Sequence, residues 1–210
     1  MFAASDGFKF KIERHDNAAI NSLVCAQLQG RTLRTLKSFF VKTPRKLPDV
    51  VRDFCDYYRH HLSRDVIYYY DSTAIYDNPL GGDSFADAVI KVLNQNGWNV
   101  TPVYIGQPMR HRLKHHYINE ALRGNPQYPF PLFNRDNNPY LTFALEQTGI
   151  RPGRNDFEKD KSAERDPDSP EAPDERKTHI TDAWDTLFLG VSFWQTSPTS
   201  GCIATTFLGK

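Results

Sequence analysis

Apolar and charged residues alternate through Phe8-Lys9-Phe10-Lys11-Ile12, a period of two that predicts a first strand ending near His15-Asp16-Asn17. Leu23-Val24-Cys25-Ala26-Gln27-Leu28 predicts a second strand, and a Gln29-Gly30-Arg31 turn leads into a third over residues 32–42, with Leu33, Leu36, Phe39, Phe40 and Val41. The chain is thus expected to open as an antiparallel meander. After Pro44 and Pro48, the apolar positions Val50, Val51, Phe54, Tyr57, Tyr58 and Leu62 fall at helical spacing. The buried-strand pattern Val66-Ile67-Tyr68-Tyr69-Tyr70 then ends on Asp71-Ser72-Thr73.

Asp83-Ser84 can cap a helix through Phe85, Ala88, Val89, Val92 and Leu93 that stops near Asn96-Gly97. Residues 98–105 predict another strand. Beyond Pro108 follows a basic helix carrying Arg110, His111, Arg112, Lys114, His115 and His116. Leu132-Phe133-Asn134 predicts a short strand, and residues 139–148 a short helix. Residues 149–176, rich in Pro, Asp, Glu and Arg, are expected to form a flexible acidic insertion. A final helix starts near Thr178 with Ala183, Leu187 and Val191 on a core face, and residues 195–210 form a C-terminal tail.

Composition sharpens this picture. A chain of 210 residues suits one sizeable domain. Its net charge of +1 hides opposed patches: residues 1–64 hold 12 Lys/Arg against 6 Asp/Glu, residues 105–154 hold 7 against 3, and residues 155–176 hold 4 against 9. Basic surface beside acidic clusters is what a metal-dependent enzyme on a polyanion needs, since Lys and Arg hold phosphates while carboxylates hold cations. Cys25, Cys55 and Cys202 have no metal-site spacing and favour a reducing compartment. No secretory signal pattern opens the chain and no run is long enough to span a bilayer, so a soluble, cytoplasmic protein is expected.

The candidate chemistry lies in separated acids. Asp71 stands at the C-terminal end of a core strand, where open α/β sheets place their sites. Thr178-His179-Ile180-Thr181-Asp182-Ala183-Trp184-Asp185 is acidic and leads into an apolar helix. Each acid also has an ordinary reading: Asp71 can cap a turn, and Asp182 and Asp185 can be first-turn acids favoured by the helix dipole, which is the preferred role for Asp185. His111, His115 and His116 read as solvated helix residues, and Lys159 and Lys161 as loop residues.

Three antiparallel strands, a helix, an acid-ended strand, further α/β units and a late acid-headed helix follow the order of the ribonuclease H-like fold, an α/β class with a mixed sheet flanked by helices. Within it, residues 8–194 resemble the C-terminal nuclease domain of the large terminase subunit of tailed bacteriophages. The resemblance rests on Asp16-Asn17 followed by Leu23-Val24-Cys25-Ala26-Gln27, on Tyr68-Tyr69-Tyr70-Asp71-Ser72-Thr73, on Phe157-Glu158-Lys159-Asp160-Lys161-Ser162, and on His179-x-x-Asp182-Ala183.

The resemblance implies an endonuclease that cuts concatemeric viral DNA with two Mg²⁺ or Mn²⁺ ions. Asp71 would match the fourth-strand ligand and Asp182 the late-helix ligand, with His179 one turn before it. Asp16 is expected as the first-strand ligand. The family's Asp, however, lies two residues before the Asn, where this chain has His15, and a one-residue shift on a strand reverses the face unless a bulge intervenes. Arg110, Arg112, Lys114, Lys159 and Lys161 are expected at the DNA. Double-stranded DNA, a phage portal and a small terminase subunit are the implied partners.

No G-x-x-x-x-G-K-[ST] occurs, so an ATPase domain is expected elsewhere, and the chain reads as an excised domain, a split gene product or a truncated frame. Two competing readings stay open. One is a nuclease-dead module binding DNA or portal, and the other a recombinase or junction resolvase.

Overall fold

A computed structural model describes residues 8–13, 20–75, 82–153, 157–160 and 179–194. Three antiparallel strands, β1 (Phe8–Glu13), β2 (Ile20–Gln29) and β3 (Thr32–Lys42), open the fold. Gly30, at φ 58°, turns β2 into β3. Helix α1 (Leu47–Tyr57) follows, then β4 (Asp65–Tyr70), α2 (Phe85–Gln95), β5 (Asn99–Tyr104), α3 (His111–Leu122), β6 (Phe130–Phe133) and α4 (Pro139–Gln147). A two-stranded hairpin, β7 (Ile150–Pro152) with β8 (Phe157–Lys159), precedes the last described helix, α5 (His179–Phe193).

The main sheet has six strands in the order β5-β4-β1-β2-β3-β6. Strand β4 runs parallel to β1 and β5, and β6 runs parallel to β3, so the antiparallel meander expected from the alternation is extended by parallel strands on both sides. Alternation along the strands divides the core in two. Leu23, Cys25, Val66 and Tyr68 meet α1 and α2 on one face, while Val24, Ala26, Ile67 and Tyr69 meet α3, α4 and α5 on the other.

Local chemistry fixes the helix ends. The Asp49 carboxylate accepts from the Lys46 backbone N–H at 2.7 Å and Pro48 occupies the first turn, which starts α1. The helix closes at Tyr58, whose N–H reaches the Phe54 carbonyl, so Leu62 lies beyond it and is 92% exposed rather than part of the apolar stripe. Ser84 Oγ accepts from the Asp87 N–H at the head of α2, and Gly97, at φ 77°, follows its end, as the sequence indicates.

Helix α5 departs from an amphipathic pattern, because every residue from Ile180 to Val191 is buried. Trp184 stacks on Phe188, lies against Phe133 and donates its indole N–H to Thr35 Oγ1 at 3.0 Å. At Gly190 the helix approaches β4 so closely that a Cβ would fall 2.4 Å from Cδ1 of Tyr69. Among the described residues, no helix is long and apolar enough to cross a membrane.

Residues 149–176, expected as an irregular insertion, begin with the β7–β8 hairpin. Its strands are three residues each, and Asp160 N–H closes it onto the Gly149 carbonyl at 2.9 Å. The rest of that segment and the 195–210 tail lie outside the described residues.

Candidate functional site

Asp71 is placed by the end of β4. The run Asp65–Tyr70 pairs with β1 on one side and β5 on the other, which is why Tyr68 and Tyr69 are almost wholly buried. Asp71 continues the extended backbone, at φ −108° and ψ −173°. Alternation therefore assigns it to the face of Ile67 and Tyr69, where α5 packs. Its Oδ1 accepts from Thr73 N–H at 2.9 Å and from Thr73 Oγ1 at 2.6 Å, so Asp71 does cap a turn. The turn is anchored by Ser72, whose N–H donates to the Gly106 carbonyl and whose hydroxyl donates to Gln107 Oε1 at 2.8 Å. Asp71 itself is 2% exposed. Burial raises the Tyr68 hydroxyl pKa above its ordinary value, and the nearby Asp71 carboxylate adds to that rise.

At the head of α5, Asp182 and Asp185 are one turn apart and both buried. Between them stands the ammonium of Lys159, delivered by β8. Its Nζ donates to Asp182 Oδ1 at 2.7 Å, to Asp185 Oδ2 at 2.8 Å and to Thr181 Oγ1 at 2.8 Å. Burial alone would lower the Lys159 pKa, but attraction to Asp185 and then Asp182, with their hydrogen bonds, carries it above the ordinary lysine value. Lys114, in the first turn of α3, adds a second ammonium 3.6 Å from Asp185. Two buried cations thus face two buried anions, the arrangement that low-polarity surroundings require.

The residues expected from the sequence divide accordingly. Asp182 is joined with Asp185 through Lys159, and His179 begins the same helix three residues before Asp182. Lys114 and Lys159, expected at the DNA, have buried ammonium groups turned toward these acids. Arg110 and Arg112 flank the start of α3 and are exposed. His15, Asp16 and Lys161 lie outside the described residues.

Two positions carry more than the sequence assigned to them. Asp185, assigned there a helix-dipole role, shares Lys159 with Asp182, and the signal was its three-residue spacing from Asp182. Glu13 is the last residue of β1. The described pairing of β1 with β4 runs from Phe8–Val66 to Phe10–Tyr68, and Glu13 closes β1 at the same end of the sheet at which Asp71 follows β4. An acid closing an alternating strand was the missed signal.

Among the described residues, no group of three or more His, Cys, Asp or Glu side chains forms a metal-binding cluster. The donor chemistry nevertheless fits a hard divalent ion. Asp182 and Asp185 offer carboxylate oxygens and already hold a cation between them, and Asp71 offers another carboxylate just beyond the end of β4.

No family model matches this sequence, and no curated protein matches it. Solved structures do. The large terminase of the thermophilic bacteriophage D6E superimposes with a TM-score of 0.58 at 11% identity, over 92% of this chain and 41% of that one. The bacteriophage HK97 large terminase gives 0.51 at 14% identity, over 89% of this chain and 39% of that one. The Mn-bound nuclease domain of the bacteriophage SPP1 large terminase, g2p, gives 0.45 at 14% identity, over 88% and 84%. The chain spans about two fifths of the length of the D6E and HK97 proteins. Its mixed sheet, flanked by helices and closed by the buried acid-headed helix α5, has the ribonuclease H-like fold found in phage large terminases.

Proposed function

We propose that this chain is a metal-dependent DNA endonuclease, the nuclease part of a phage large terminase that cuts concatemeric viral DNA during genome packaging. The observation that carries the reading is the buried pair Asp182 and Asp185 at the head of α5, two carboxylates already gathered around a cation. Mg²⁺ or Mn²⁺ ions, when bound, supply activation of water and neutralise charge on the scissile phosphate.

Asp71 and Asp182 would hold such ions, with an acid from the end of β1 or just beyond it, Glu13 or Asp16, completing the set. Asp71 is kept in place by Thr73 and by the Ser72 contacts to Gly106 and Gln107. Asp182 is kept in place by a helix that cannot shift without disturbing the core. His179, on the same helix face as Asp182, stands next to the ion site. The exposed Arg110 and Arg112, at the start of the helix whose Lys114 reaches Asp185, would hold the phosphate backbone. The ATPase part of the motor, a portal and a small terminase subunit are the partners of such a nuclease.

The test is nicking of supercoiled plasmid in Mn²⁺ or Mg²⁺. Wild-type protein should cut, and Asp71→Asn and Asp182→Asn should lose cleavage by at least about 100-fold while remaining folded. Equal cutting by all three would sink the assignment. A second reading, a DNA- or portal-binding module without nuclease activity, is favoured by the neutralisation of Asp182 and Asp185 by Lys159. It requires salt-sensitive DNA binding with no cleavage in either metal.

A further inference from the structure

The most unusual group in the molecule is the Lys159 ammonium. Its side chain is only 12% exposed and bonds three oxygens, and two of those belong to carboxylates of the proposed ion site. It comes from a hairpin remote in sequence from α5, so the contact is a tertiary one. The hairpin meets α3 through Phe157, whose ring lies edge-on to His115 at 5.1 Å, and its two strands are tied to each other by Arg151 paired with Glu158 at 3.5 Å. Beside Lys159 lies a cavity of about 380 Å³ bounded by Ile118, Leu145, Ile150 and Trp184, with His111 and Glu146 at its polar margin. It has room for a displaced lysine side chain.

We propose that Lys159 is a built-in competitor for the divalent ion: its ammonium neutralises Asp182 and Asp185 in the metal-free protein, and metal binding requires it to move aside into the neighbouring cavity. This rests on the reading of Asp182 as a metal ligand. The physics is that of exclusion between like charges. An ammonium within 2.8 Å of both carboxylates cannot keep its place while a divalent cation shares those oxygens, because the repulsion would be felt at close range in a buried site. Metal affinity is therefore set by the difference between two cations' claims on the same oxygens. The metal-free form meanwhile avoids two unpaired buried acids.

The experiment is Mn²⁺ titration by calorimetry of wild type, Lys159→Gln, Lys159→Arg and Asp182→Asn. Lys159→Gln removes the competing charge and should bind Mn²⁺ at least about tenfold more tightly than wild type, whereas Lys159→Arg, which keeps the charge, should not. Equal or weaker binding by Lys159→Gln overturns the competition. Asp182→Asn that binds Mn²⁺ as well as wild type overturns the metal-site reading itself.

A measurement on unaltered protein decides the matter if Lys159→Gln fails to fold. Acetylation by an N-hydroxysuccinimide ester, read by mass spectrometry, should barely touch Lys159 without metal and rise severalfold at saturating Mn²⁺, with the exposed Lys91 unchanged. Labelling of Lys159 that does not respond to Mn²⁺ refutes the displacement.

Discussion

The substitution Gly190→Ala probes the contact that seats α5 on the sheet. In an unhindered helix this change stabilises by about 1 kcal/mol, since alanine loses less backbone freedom on folding. Here the new methyl would lie 2.4, 2.7 and 2.9 Å from Cδ1, Cγ and Cε1 of Tyr69. These atoms belong to the ring of a fully buried residue, the last but one of β4, a strand hydrogen-bonded on both sides, so neither the ring nor the strand can retreat cheaply. Overpacking of this kind costs about 1–3 kcal/mol. Set against the helix gain of about 1 kcal/mol, the net expectation is a loss of about 1 kcal/mol, the centre of a range of about 0–2 kcal/mol. Urea unfolding followed by circular dichroism should show the midpoint falling by about half a molar, for a slope of about 2–3 kcal/mol per molar. Adding Tyr69→Leu should reduce the penalty of Gly190→Ala, because the clashing ring is gone. A Gly190→Ala protein as stable as wild type, or more so, would refute the packing argument.

Thr35→Val should cost about 1–3 kcal/mol in the same unfolding assay, because the buried Trp184 indole N–H would lose its acceptor, while Thr35→Ser, which keeps the hydroxyl, should cost less. In the plasmid assay, Glu13→Gln and Asp16→Asn compared side by side identify the third acid: Glu13, which closes β1, is expected to be it, and full activity of Glu13→Gln with loss in Asp16→Asn would overturn that choice.

Elements with a single strong period were legible before the fold was known. β3 and α2 follow the alternation and the Ser84 cap, and the run ending at Asp71 is the buried strand β4. What escaped was set by tertiary contact. The hairpin strands Ile150-Arg151-Pro152 and Phe157-Glu158-Lys159 carry a proline and charges over three residues each, too short for any period to register. Lys114 sits in a run of basic residues and has the composition of a solvated face, yet its ammonium is drawn inward by Asp185, a partner seventy-one positions away (185 − 114). Asp185 likewise looked like an acid at a helix start. Only burial of α5 on every side makes its charge a demand for a partner. Asp71, Asp182, Asp185 and Lys159 were therefore visible one by one, while the ion pairs that join Lys159 to two of the acids were not.

The all-round burial of α5 also bears on how the chain is made. The helix follows every described strand in chain order, yet its side chains, with those of α3 and α4, complete one face of the sheet, meeting Val24, Ala26, Ile67 and Tyr69. As the polypeptide leaves the ribosome, that face must wait, wet and apolar, until residues 179–193 emerge. A nascent chain halted before them would present a sticky sheet without its lid, and the acids borne by α5 would not yet exist. Until its last described helix arrives, then, the growing protein is both prone to aggregate and unable to assemble its candidate site.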